Sequence, residues 1–476
     1  MSCFIKNKIY LVFGVGITGK ATISFLKKQN KKFYVACDNS KELKDLFIDG
    51  TKLDEKFKLY NVNEQTLREK NINFLILSPS VHAQSKPHNI VIMSHKLNIK
   101  IIADIDLFYC YLKQYNRINC TNKKIVAITG TNGKSTTTAL TAFLFNKMKC
   151  KAIACGNIGL NMLSLDVKKY DFFVVEMSSY NLFLSHYALF YSGVLLNITE
   201  DHLEYHGTMK NYVEAKFKAL KKAHIKIVCI DDKYSFRATK MKNKENKNNI
   251  TFISTKQILK NGWSWNNNVF YRDKKEILKY VFKNLQGRHN VENILCSVSC
   301  VAKTLGIHDD KKILDIFKKV KLFHGLPHRI QLVKKIDGIE FINDSKATNA
   351  DSTQKALNTF SKDDIYLIAG GQRKTAGFYF LKNDLKNVKC VFLIGEASKS
   401  FAEELTELNI KHKICGNMKK AILLAFKEAK NNIKKNNNCS SKKRKIVLLS
   451  PLCASWDQYK NFEDRGNDFV KIVNKI

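Results

Sequence analysis

Short apolar runs alternate with amphipathic stretches from the start of the chain. Ile9–Phe13 is an apolar run that predicts a buried strand, and the glycine-rich turn Gly14–Gly19 leads into a helix predicted over Lys20–Lys28. Further strands are predicted over Phe33–Cys37 and Phe74–Leu77. Because strands that alternate with helices form parallel sheets with helices on both faces, the pattern predicts an α/β fold.

The alternation continues through two further regions. In the middle of the chain it predicts the strands Ile125–Thr129, Phe172–Glu176 and Val194–Ile198 and the helices Tyr212–Lys222 and Asn290–Leu305. In the last region it predicts the strands Ile365–Ala369, Cys390–Ile394 and Lys445–Leu449 and the helix Phe462–Val473. At roughly 150 residues per domain, a chain of 476 residues is long enough for about three domains. We expect their boundaries at 1–118, 119–324 and 325–476.

Composition is ordinary except for charge. Hydrophobic residues make up 45% and charged residues 26%, which is typical of a folded globular protein. Lys and Arg number 81 against 42 Asp and Glu, so the net charge is 81 − 42 = +39. Clustered basic residues would indicate binding to nucleic acid or an anionic membrane. Here the lysines are spread along the whole chain, so we interpret the charge as compositional drift and expect no nucleic-acid partner.

The sequence also predicts the compartment. No apolar run is long enough for a transmembrane helix, and the first apolar run passes straight into Gly14–Gly19 without the cleavage site of a signal peptide. The 13 cysteines are scattered and follow neither a metal-type nor a disulfide-type spacing. We therefore expect reduced thiols, a cytoplasmic location and no membrane insertion.

The strongest local signal is a loop between a predicted strand and a predicted helix. The segment Gly130–Thr136 reads Gly-Thr-Asn-Gly-Lys-Ser-Thr. Such a loop points backbone N–H groups at a phosphate, and the helix adds the positive end of its dipole. Lys134 is expected to contact the outer phosphates of a nucleotide, and Ser135 to bind Mg²⁺. Ile128 stands where the standard pattern has its first glycine, so this loop is a shortened form; an ordinary glycine turn is the less favoured alternative.

The earlier glycine-rich turn is less specific. Gly14, Gly16 and Gly19 match the dinucleotide-binding pattern, and Asp38 lies about where a ribose-binding acid would stand. From the residues alone, a dinucleotide site, another phosphate or uridine site, and a purely structural turn all stay open.

Acidic residues and a histidine follow two central strands. Glu176 ends one buried strand, and Glu200–His202 follow the next. Ligands of open α/β sheets bind beyond the carboxyl ends of the strands, so Glu176 and His202 are expected to face the phosphates held by Lys134. Mg²⁺ prefers oxygen ligands, which suits Glu176 better than His202. Lys216, on the next predicted helix, has only donors as an ammonium and cannot bind a metal in that form.

Four polar loops occur in the last third of the chain. They are Gly325–Arg329, Asn343–Asn349, Gly370–Lys374 and Ser450–Gln458. Each alone is ordinarily a solvated turn. Because Lys, Arg and hydroxyl groups recur in them, the four together predict a cleft for an anion-rich substrate.

These segments together resemble the Mur ligase family over essentially the whole chain. The motifs that carry the resemblance are Gly14–Gly19, Ser78-Pro79-Ser80, Thr129–Thr137, Gly156–Gly159, Glu176–Ser179, Asn197–His202, Lys216, Gly287–Asn290, Gly325–Arg329 and Asn343–Asn349. The run Ser450–Gly466 is similar to the members that add D-glutamate. The resemblance implies a Rossmann-like N-terminal domain that binds a UDP-linked substrate. It also implies a central P-loop-type ATPase domain and a Rossmann-like C-terminal domain that binds the amino acid.

The implied reaction is ATP-dependent amide synthesis. D-glutamate is joined to UDP-N-acetylmuramoyl-L-alanine through an acyl phosphate, with release of ADP and phosphate, during the synthesis of peptidoglycan precursors. The implied cofactors are ATP, two Mg²⁺ ions and a CO₂-derived carbamate on Lys216. The implied partners are these small molecules alone, and the implied state is a monomer.

The resemblance also implies roles residue by residue. ATP is expected to contact Gly130, Thr131, Asn132, Gly133, Lys134, Ser135, Thr136, Asn290, Arg329 and Asp344. The metals are expected at Ser135, Glu176, His202 and Lys216, and the catalytic set at Lys134, Glu176, His202 and Lys216. The UDP-substrate is expected at Ile17, Thr18, Asp38, Ser78 and Asn157. D-glutamate is expected at Lys346, Thr348, Lys374, Ser455 and Phe462.

Three positions depart from the family pattern, and other classes compete with it. Gly377 stands where many relatives have an acidic residue, Trp456 where a smaller residue is expected, and Asn39 where a threonine is common. Another Mur ligase or a folylpolyglutamate synthase would keep the phosphate loop and change the amino acid. A dehydrogenase would use Gly14–Gly19 but leave Gly130–Ser135 unexplained. A nucleic-acid-binding ATPase would need Lys, Arg and aromatic residues clustered on one face.

Overall fold

The computed structural model describes residues 8–79, 81–243, 249–282, 285, 287–373, 377–435 and 443–476. They belong to two compact units. The first comprises Met1–Val281 and His289–Phe323, and the second Phe282–Arg288 and His324–Ile476. Each unit is built on sheets whose strands are mostly parallel, so the predicted α/β class is confirmed. The finer division of the chain into three domains stays a prediction.

The first sheet of the first unit has the order β2-β1-β5-β6, and its strands are parallel. Its strands and the small antiparallel pair β3–β4 are β1 (Ile9–Phe13), β2 (Lys32–Ala36), β3 (Phe47–Ile48), β4 (Thr51–Lys52), β5 (Phe74–Leu77) and β6 (Lys100–Ile102). The helices are α1 (Ile17–Lys28), α2 (Ser40–Lys44), α3 (Glu64–Glu69), α4 (Asn89–Lys96) and α5 (Asp104–Ile118). The strands are buried because their apolar residues face helices on both sides.

The second sheet of this unit has the order β15-β14-β13-β12-β11-β10-β7-β9-β8. Its strands are β7 (Lys124–Thr129), β8 (Ala152–Gly156), β9 (Phe172–Glu176), β10 (Phe190–Leu195), β11 (Ala223–Cys229), β12 (Ile250–Ser254), β13 (Trp263–Asn266), β14 (Val269–Arg272) and β15 (Lys275–Lys279). The helices are α6 (Lys134–Lys147), α7 (Ser179–Leu184), α8 (Leu203–His206), α9 (Met209–Lys221), α10 (Arg288–Thr304) and α11 (Asp310–Val320). Since β7 pairs in parallel with both β9 and β10, the carboxyl ends of these three strands meet at one edge.

The sheet of the second unit has the order β16-β17-β21-β18-β19-β20, with β16 antiparallel to its neighbour. Its strands are β16 (Gln331–Ile336), β17 (Ile339–Asn343), β18 (Asp364–Gly370), β19 (Val388–Ile394), β20 (His412–Gly416) and β21 (Lys445–Leu449). The helices are α12 (Ala350–Thr359), α13 (Ser398–Glu407), α14 (Met418–Lys435) and α15 (Phe462–Asn474), and a 3₁₀ segment spans Phe378–Asn387. Apolar clusters fill both faces of this sheet.

One buried carboxylate organises the first unit. Asp106, in the first turn of α5, accepts hydrogen bonds from the backbone N–H groups of His186, Tyr187 and Ala188 at 3.0, 2.8 and 2.7 Å. It also accepts the Ser185 hydroxyl at 3.2 Å. The backbone N–H groups of three successive residues, one of them buried, are thereby satisfied by one side chain.

Replacement of Asp106 by alanine is therefore expected to destabilise the protein strongly. Several donors would lose their acceptor at once, and each buried unsatisfied group costs about 1–3 kcal/mol. We expect a loss of at least about 3 kcal/mol in the free energy of unfolding, measured by urea denaturation. Asp45→Ala is the control, because the Asp45 side chain is 72% exposed and lies 3.8 Å from Lys52. Equal midpoints for the two variants would contradict the assigned role.

Two sequence-based expectations concern the molecule as a whole. The cysteines that the structure describes, from Cys37 to Cys453, are free thiols, in line with the predicted reduced state. Within the described ranges, every helix is too short or too polar to cross a membrane.

Candidate active site

The phosphate loop follows β7 and leads into α6, as predicted. Lys134 is the first residue of α6, and its Nζ donates to the carbonyl oxygens of Gly130 and Thr131 at 3.0 and 2.8 Å. The Lys134 side chain is thus folded over the loop, with its charge held at the loop itself. Ser135 and Thr136 are buried in the first turn of α6.

The strand that ends beside this loop holds it in place. Asn197, just after β10, accepts the N–H of Asn132 on its side-chain oxygen at 2.9 Å, and its backbone oxygen accepts the N–H of Thr131 at 2.7 Å. The Asn197 side-chain nitrogen donates to Glu292 on α10 at 2.8 Å. Asn290, on the same helix and buried, accepts a hydrogen bond from Asn293 at 3.1 Å. The N-terminal part of α10 therefore lies against the loop, and Asn290 is in that part of the helix.

Glu176 ends β9 in strand register with Ile128 of β7. Its side chain is 6% exposed, and its Oε2 is buried without a hydrogen-bond partner among the described residues. A buried carboxylate oxygen without a donor is costly unless a cation or a ligand satisfies it. The position and this open acceptor fit a metal ligand.

Lys216 lies on α9 and is only 1% exposed. Its Nζ donates to the carbonyl oxygen of Gly130 at 2.7 Å and lies 4.7 Å from the centre of the Tyr212 ring. Burial and, next, the nearby Lys134 charge hold the pKa of Lys216 well below its usual value, although Asp201 and Glu176 act in the opposite direction. The side chain reaches the phosphate loop as an amine that is easily kept neutral.

His202 has a left-handed backbone with φ of 54° just before α8. Its Nδ1 lies 2.7 Å from the hydroxyl of Tyr180, and its ring centre is 6.3 Å from that of Tyr212. The Tyr212 ring thus contacts both His202 and Lys216. Across the described part of the chain there is no group of three or more His, Cys, Asp or Glu side chains that could hold a metal, so a metal here would need Ser135 and Lys216 as well.

The residues predicted for the UDP-substrate surround the turn after β1. Ser78 donates its hydroxyl to the Gly14 carbonyl at 3.2 Å, and Ile17, at the start of α1, is 84% exposed. Thr18 follows Ile17 in the first turn of α1. Asp38, just after β2, lies 3.0 Å from Nε2 of His88, whose ring packs against Phe13 on β1.

Asn157, the last residue predicted for the UDP-substrate, lies beside Glu176. It is exposed after β8, and its backbone N–H donates to the Glu176 carbonyl at 3.2 Å. A residue predicted to touch the substrate therefore adjoins a residue predicted to bind metal, in the same compact unit.

In the second unit, Arg329 and Asp344 lie near each other. Asp344 accepts the hydroxyl of Ser450 at 3.0 Å and the N–H of Ile330 at 3.2 Å. Burial raises the pKa of Asp344 to about 7, while Ser450, Arg329 and the Ile330 N–H act to lower it. These are the two ATP-binding residues that the sequence predicts in this unit.

Of the residues predicted for D-glutamate, Lys346 and Thr348 lie in the loop after β17, Ser455 lies in the loop after β21, and Phe462 begins α15. Nζ of Lys346 lies 5.4 Å from the centre of the Phe462 ring, and the Thr348 N–H donates to the Lys346 carbonyl at 2.9 Å. Ser455 is buried in the loop after β21. Lys374 lies outside the described residues.

Sequence reasoning missed the residue that joins these two loops. Arg465 on α15 is 1% exposed. It donates to the Ser345 hydroxyl and carbonyl at 3.0 and 2.9 Å and to the Cys453 carbonyl at 3.0 Å. An arginine on an amphipathic helix ordinarily predicts a solvated charge. The residues next to Arg465 in the sequence therefore do not indicate that its side chain joins two loops.

Two of the departures from the family pattern have simple structural settings. Asn39 caps α2 by accepting the N–H groups of Lys41 and Glu42 at 3.0 and 3.3 Å, which a threonine side chain would also do. Trp456 is 64% exposed, so its size meets no steric limit in the core.

Comparison with known proteins identifies the family of the chain. The family model of the Mur ligase middle domain matches residues 128–301, and that of the Mur ligase glutamate ligase domain matches residues 328–449. The chain belongs to the Mur ligase family and is an ATP-dependent ligase.

Its relatives include enzymes named UDP-N-acetylmuramoylalanine--D-glutamate ligase. The one from Caldicellulosiruptor bescii is 34% identical over 490 residues, covering 99% of this chain and 98% of the relative. The one from Rickettsia bellii is 35% identical over 474 residues, covering 98% and 97%. The fold also matches the solved UDP-N-acetylmuramate-alanine ligase of Thermotoga maritima, with a TM-score of 0.56 at 17% identity, covering 98% of this chain and 99% of that one.

Proposed function

We propose that this ligase joins D-glutamate to UDP-N-acetylmuramoyl-L-alanine at the expense of ATP, in the synthesis of peptidoglycan precursors. The observation that carries the proposal is the meeting of three groups at the edge of one sheet. Lys134 at the phosphate loop, the Glu176 carboxylate and the buried Lys216 amine all lie there, and Oε2 of Glu176 has no hydrogen-bond partner among the described residues. The names of the near-full-length relatives support D-glutamate as the amino acid.

The first step is phosphoryl transfer from ATP to the carboxylate of the muramoyl-alanine substrate, which gives an acyl phosphate and ADP. Charge accumulates on the γ-phosphoryl oxygens in this step, so cations and N–H donors fixed at the phosphate accelerate it. Lys134 supplies the cation, and the first turn of α6 supplies the N–H groups. Arg329, Asp344 and Asn290 are the further ATP contacts that we propose.

The second step is attack of the D-glutamate amine on the acyl phosphate. The tetrahedral species that forms loses phosphate and leaves the amide bond. D-glutamate has two carboxylates, and Lys346, Lys374, Thr348 and Ser455 are the proposed anchors, with Phe462 beside Lys346. Two anchored carboxylates fix the direction of the amine, which is how the site would discriminate between D- and L-glutamate.

The residues present fit magnesium. Glu176 has an open buried acceptor and Ser135 a hydroxyl, while His202 and a carbamate on Lys216 would complete the donor set. Mg²⁺ would neutralise charge that develops on the phosphoryl oxygens. A carbamate forms when the neutral Lys216 amine adds to CO₂ and releases a proton, and the result is a carboxylate-like oxygen donor. The lowered pKa of Lys216 favours the neutral amine that this reaction requires.

We further propose a cytoplasmic monomer that assembles with no partner other than its small-molecule substrates. The substrates and ATP are cytoplasmic compounds, and the described cysteines are free thiols, as expected in a reducing compartment. The measurement for the oligomeric state is light scattering at micromolar concentration.

Phosphate release tests the substrate assignment. With ATP, Mg²⁺ and UDP-N-acetylmuramoyl-L-alanine, D-glutamate should support release at least about a hundredfold faster than L-glutamate, because the anchors fix one hand of the amino acid. The reaction without the muramoyl nucleotide serves as the control. Faster release with L-alanine or a diamino acid than with D-glutamate would place the chain elsewhere in the family.

A further inference from the structure

A buried histidine of the first unit connects segments that follow strands of two different sheets. His206, the last residue of α8, is fully buried. Its Nδ1 lies 2.7 Å from Oε1 of Gln84, in the segment between β5 and α4. Its Nε2 lies 3.0 Å from the hydroxyl of Ser179, which begins α7 just after β9. One imidazole ring therefore joins the N-terminal sheet to the sheet that carries the phosphate loop.

The chemistry of the two partners sets the position of the proton on the ring. The Gln84 side-chain oxygen only accepts hydrogen bonds, so Nδ1 of His206 carries the proton and donates it. In the neutral ring Nε2 is then an acceptor, and the Ser179 hydroxyl donates to it. Burial favours this neutral form over the charged one. A neutral imidazole thus satisfies both contacts at once.

Aromatic rings enclose His206 beside the candidate active site. Its ring centre lies 5.7 Å from that of Tyr180 and 5.4 Å from that of Tyr212. The Tyr180 hydroxyl is the hydrogen-bond partner of His202, and the Tyr212 ring contacts Lys216. The same rings that enclose His206 therefore contact two predicted metal ligands. Hydrogen bonds made inside such an enclosure are shielded from water and fix the geometry of their partners.

Gln84 belongs to a loop, residues 81–88, that connects two parts of the predicted UDP-substrate site. Ser78 lies just before the loop and is one of the residues predicted for this substrate. At the other end of the loop, Nε2 of His88 lies 3.0 Å from Asp38, which is another. A displacement of residues 81–88 would therefore disturb the predicted substrate site at both ends of the loop.

The same loop also contacts the backbone of α8. Ser85 donates its N–H to the Tyr205 carbonyl at 3.0 Å and its hydroxyl to the Glu204 carbonyl at 2.6 Å. These two hydrogen bonds end at α8, whereas the contact of Gln84 continues through the His206 ring to Ser179. His206 thus links the loop to the end of β9, three residues beyond Glu176.

We propose that His206 is a positioning residue for the UDP-linked substrate, which holds the loop of residues 81–88 against the edge of the sheet where the phosphate loop lies. It acts on the substrate through Gln84, whose hydrogen bond sets the position of the loop. The inference rests on the proposed function, because it takes UDP-N-acetylmuramoyl-L-alanine as the ligand beside this loop.

Calorimetric binding of UDP-N-acetylmuramoyl-L-alanine, without D-glutamate or ATP, gives the first test. His206→Phe keeps a ring in the enclosure and loses both hydrogen bonds, so the Kd is expected to rise by about tenfold. The Kd for ATP, measured separately, should stay within about twofold of wild type. His412→Phe is the matched control, because His412 is a half-buried histidine of the second unit whose Nδ1 lies 2.9 Å from the Ile410 carbonyl.

Two further substitutions separate the two nitrogens of the ring. In His206→Asn the amide nitrogen is as many bonds from Cβ as Nδ1 is, so it can still donate to Gln84. This variant should recover most of the affinity that His206→Phe loses. His206→Gln reaches the position of Nε2 instead, so it can meet Ser179 but should bind the nucleotide as weakly as His206→Phe. A role in packing alone would predict no such difference.

A double-mutant cycle tests the contact from the side of the loop. Gln84→Leu leaves the buried ring in place and is expected to raise the Kd for the muramoyl nucleotide by about tenfold. Combined with His206→Phe it should cause no further rise, because both substitutions break the same hydrogen bond. Gln65→Leu is the control, since Gln65 bonds to Glu69 at 2.8 Å on the exposed surface of α3. Gln84→Leu also decides the proposal if His206→Phe does not fold.

The outcomes are separable from those of the proposed function. Wild-type affinity in Gln84→Leu, additive effects in the double variant, or equal losses in His206→Asn and His206→Gln would each overturn the proposal. If wild type binds the muramoyl nucleotide but releases no phosphate with D-glutamate, the proposed function fails, and the affinities of the variants still decide the role of His206. A wild type that does not bind the nucleotide would overturn both.

Discussion

A Lys134→Ala protein is expected to stay folded and to lose at least about a hundredfold of its ATP-dependent phosphate release. In the structure the Lys134 ammonium is held by the carbonyl oxygens of Gly130 and Thr131, so the charge is already at the loop before ATP arrives. Removal of the side chain opens no part of the hydrophobic core. The measurement is phosphate release at saturating substrates, with circular dichroism to confirm the fold.

Lys147→Ala is the matched control for this experiment. Lys147 is the last residue of the same helix, α6, and is exposed, so its loss changes the net charge equally without touching the loop. Near-wild-type turnover in a folded Lys134→Ala protein would show that the loop does not bind the phosphates of ATP.

Loss of Lys216 is expected to have an effect of similar size. If the side chain is carbamylated and binds metal, Lys216→Ala removes a direct ligand, and activity should fall by at least about a hundredfold. A short carboxylate such as acetate or formate, small enough for the vacated volume, is expected to restore part of it. In contrast, a plain amine that only donates to Gly130 would predict no rescue by an anion.

The carbamate on Lys216 can also be measured directly, by NMR. With ¹³CO₂, wild type should give a carbamate NMR signal that is absent from Lys216→Ala and present in Lys221→Ala. Lys221 lies on the same helix, α9, and is exposed, so its amine has no desolvated setting. Full activity of Lys216→Ala in CO₂-free buffer would contradict the proposed carbamate.

Structural features that depend on residues close together in the sequence were predictable. The strand and loop from Ile125 to Thr136 were predicted within one residue, because backbone geometry and phosphate chemistry there depend on adjacent residues. Helix α1 begins at Ile17, before the predicted Lys20. Gly19 belongs to the helix and not to the turn, because its lack of a Cβ lets the Gly14 carbonyl pack directly against it.

Strand β10 shows where the apolar pattern misleads. The sequence predicts Val194–Ile198, whereas the strand spans Phe190–Leu195. Ser192 and Gly193 break the apolar run, yet both are paired in parallel with β7 on one side and β11 on the other. The Ser192 hydroxyl is satisfied by Thr304 at 2.7 Å, a partner that periodicity does not reveal.

Long-range partners also explain which site residues the sequence could not provide. Arg465 donates to the Ser345 hydroxyl, which lies 120 positions before it along the chain. Its residue type and spacing match an ordinary helix surface, so only the three-dimensional structure distinguishes it from a solvated charge. Glu176 was predicted from its place at the end of a buried strand and Lys216 from the family resemblance, and the structure adds that both side chains are buried.

The two sheets of the first unit share one hydrophobic core, and this limits how such ligases can be recombined. One apolar cluster includes Tyr10 of β1, Phe108 of α5 and Phe173 of β9, and the last two rings meet with centroids 5.0 Å apart. The Asp106 carboxylate of α5 adds hydrogen bonds from the backbone N–H groups of Tyr187 and Ala188. A chimera that exchanged the N-terminal sheet alone would separate these partners and expose aromatic surface. Grafting substrate preference from one ligase to another would therefore require exchange of the N-terminal sheet together with the face it packs on.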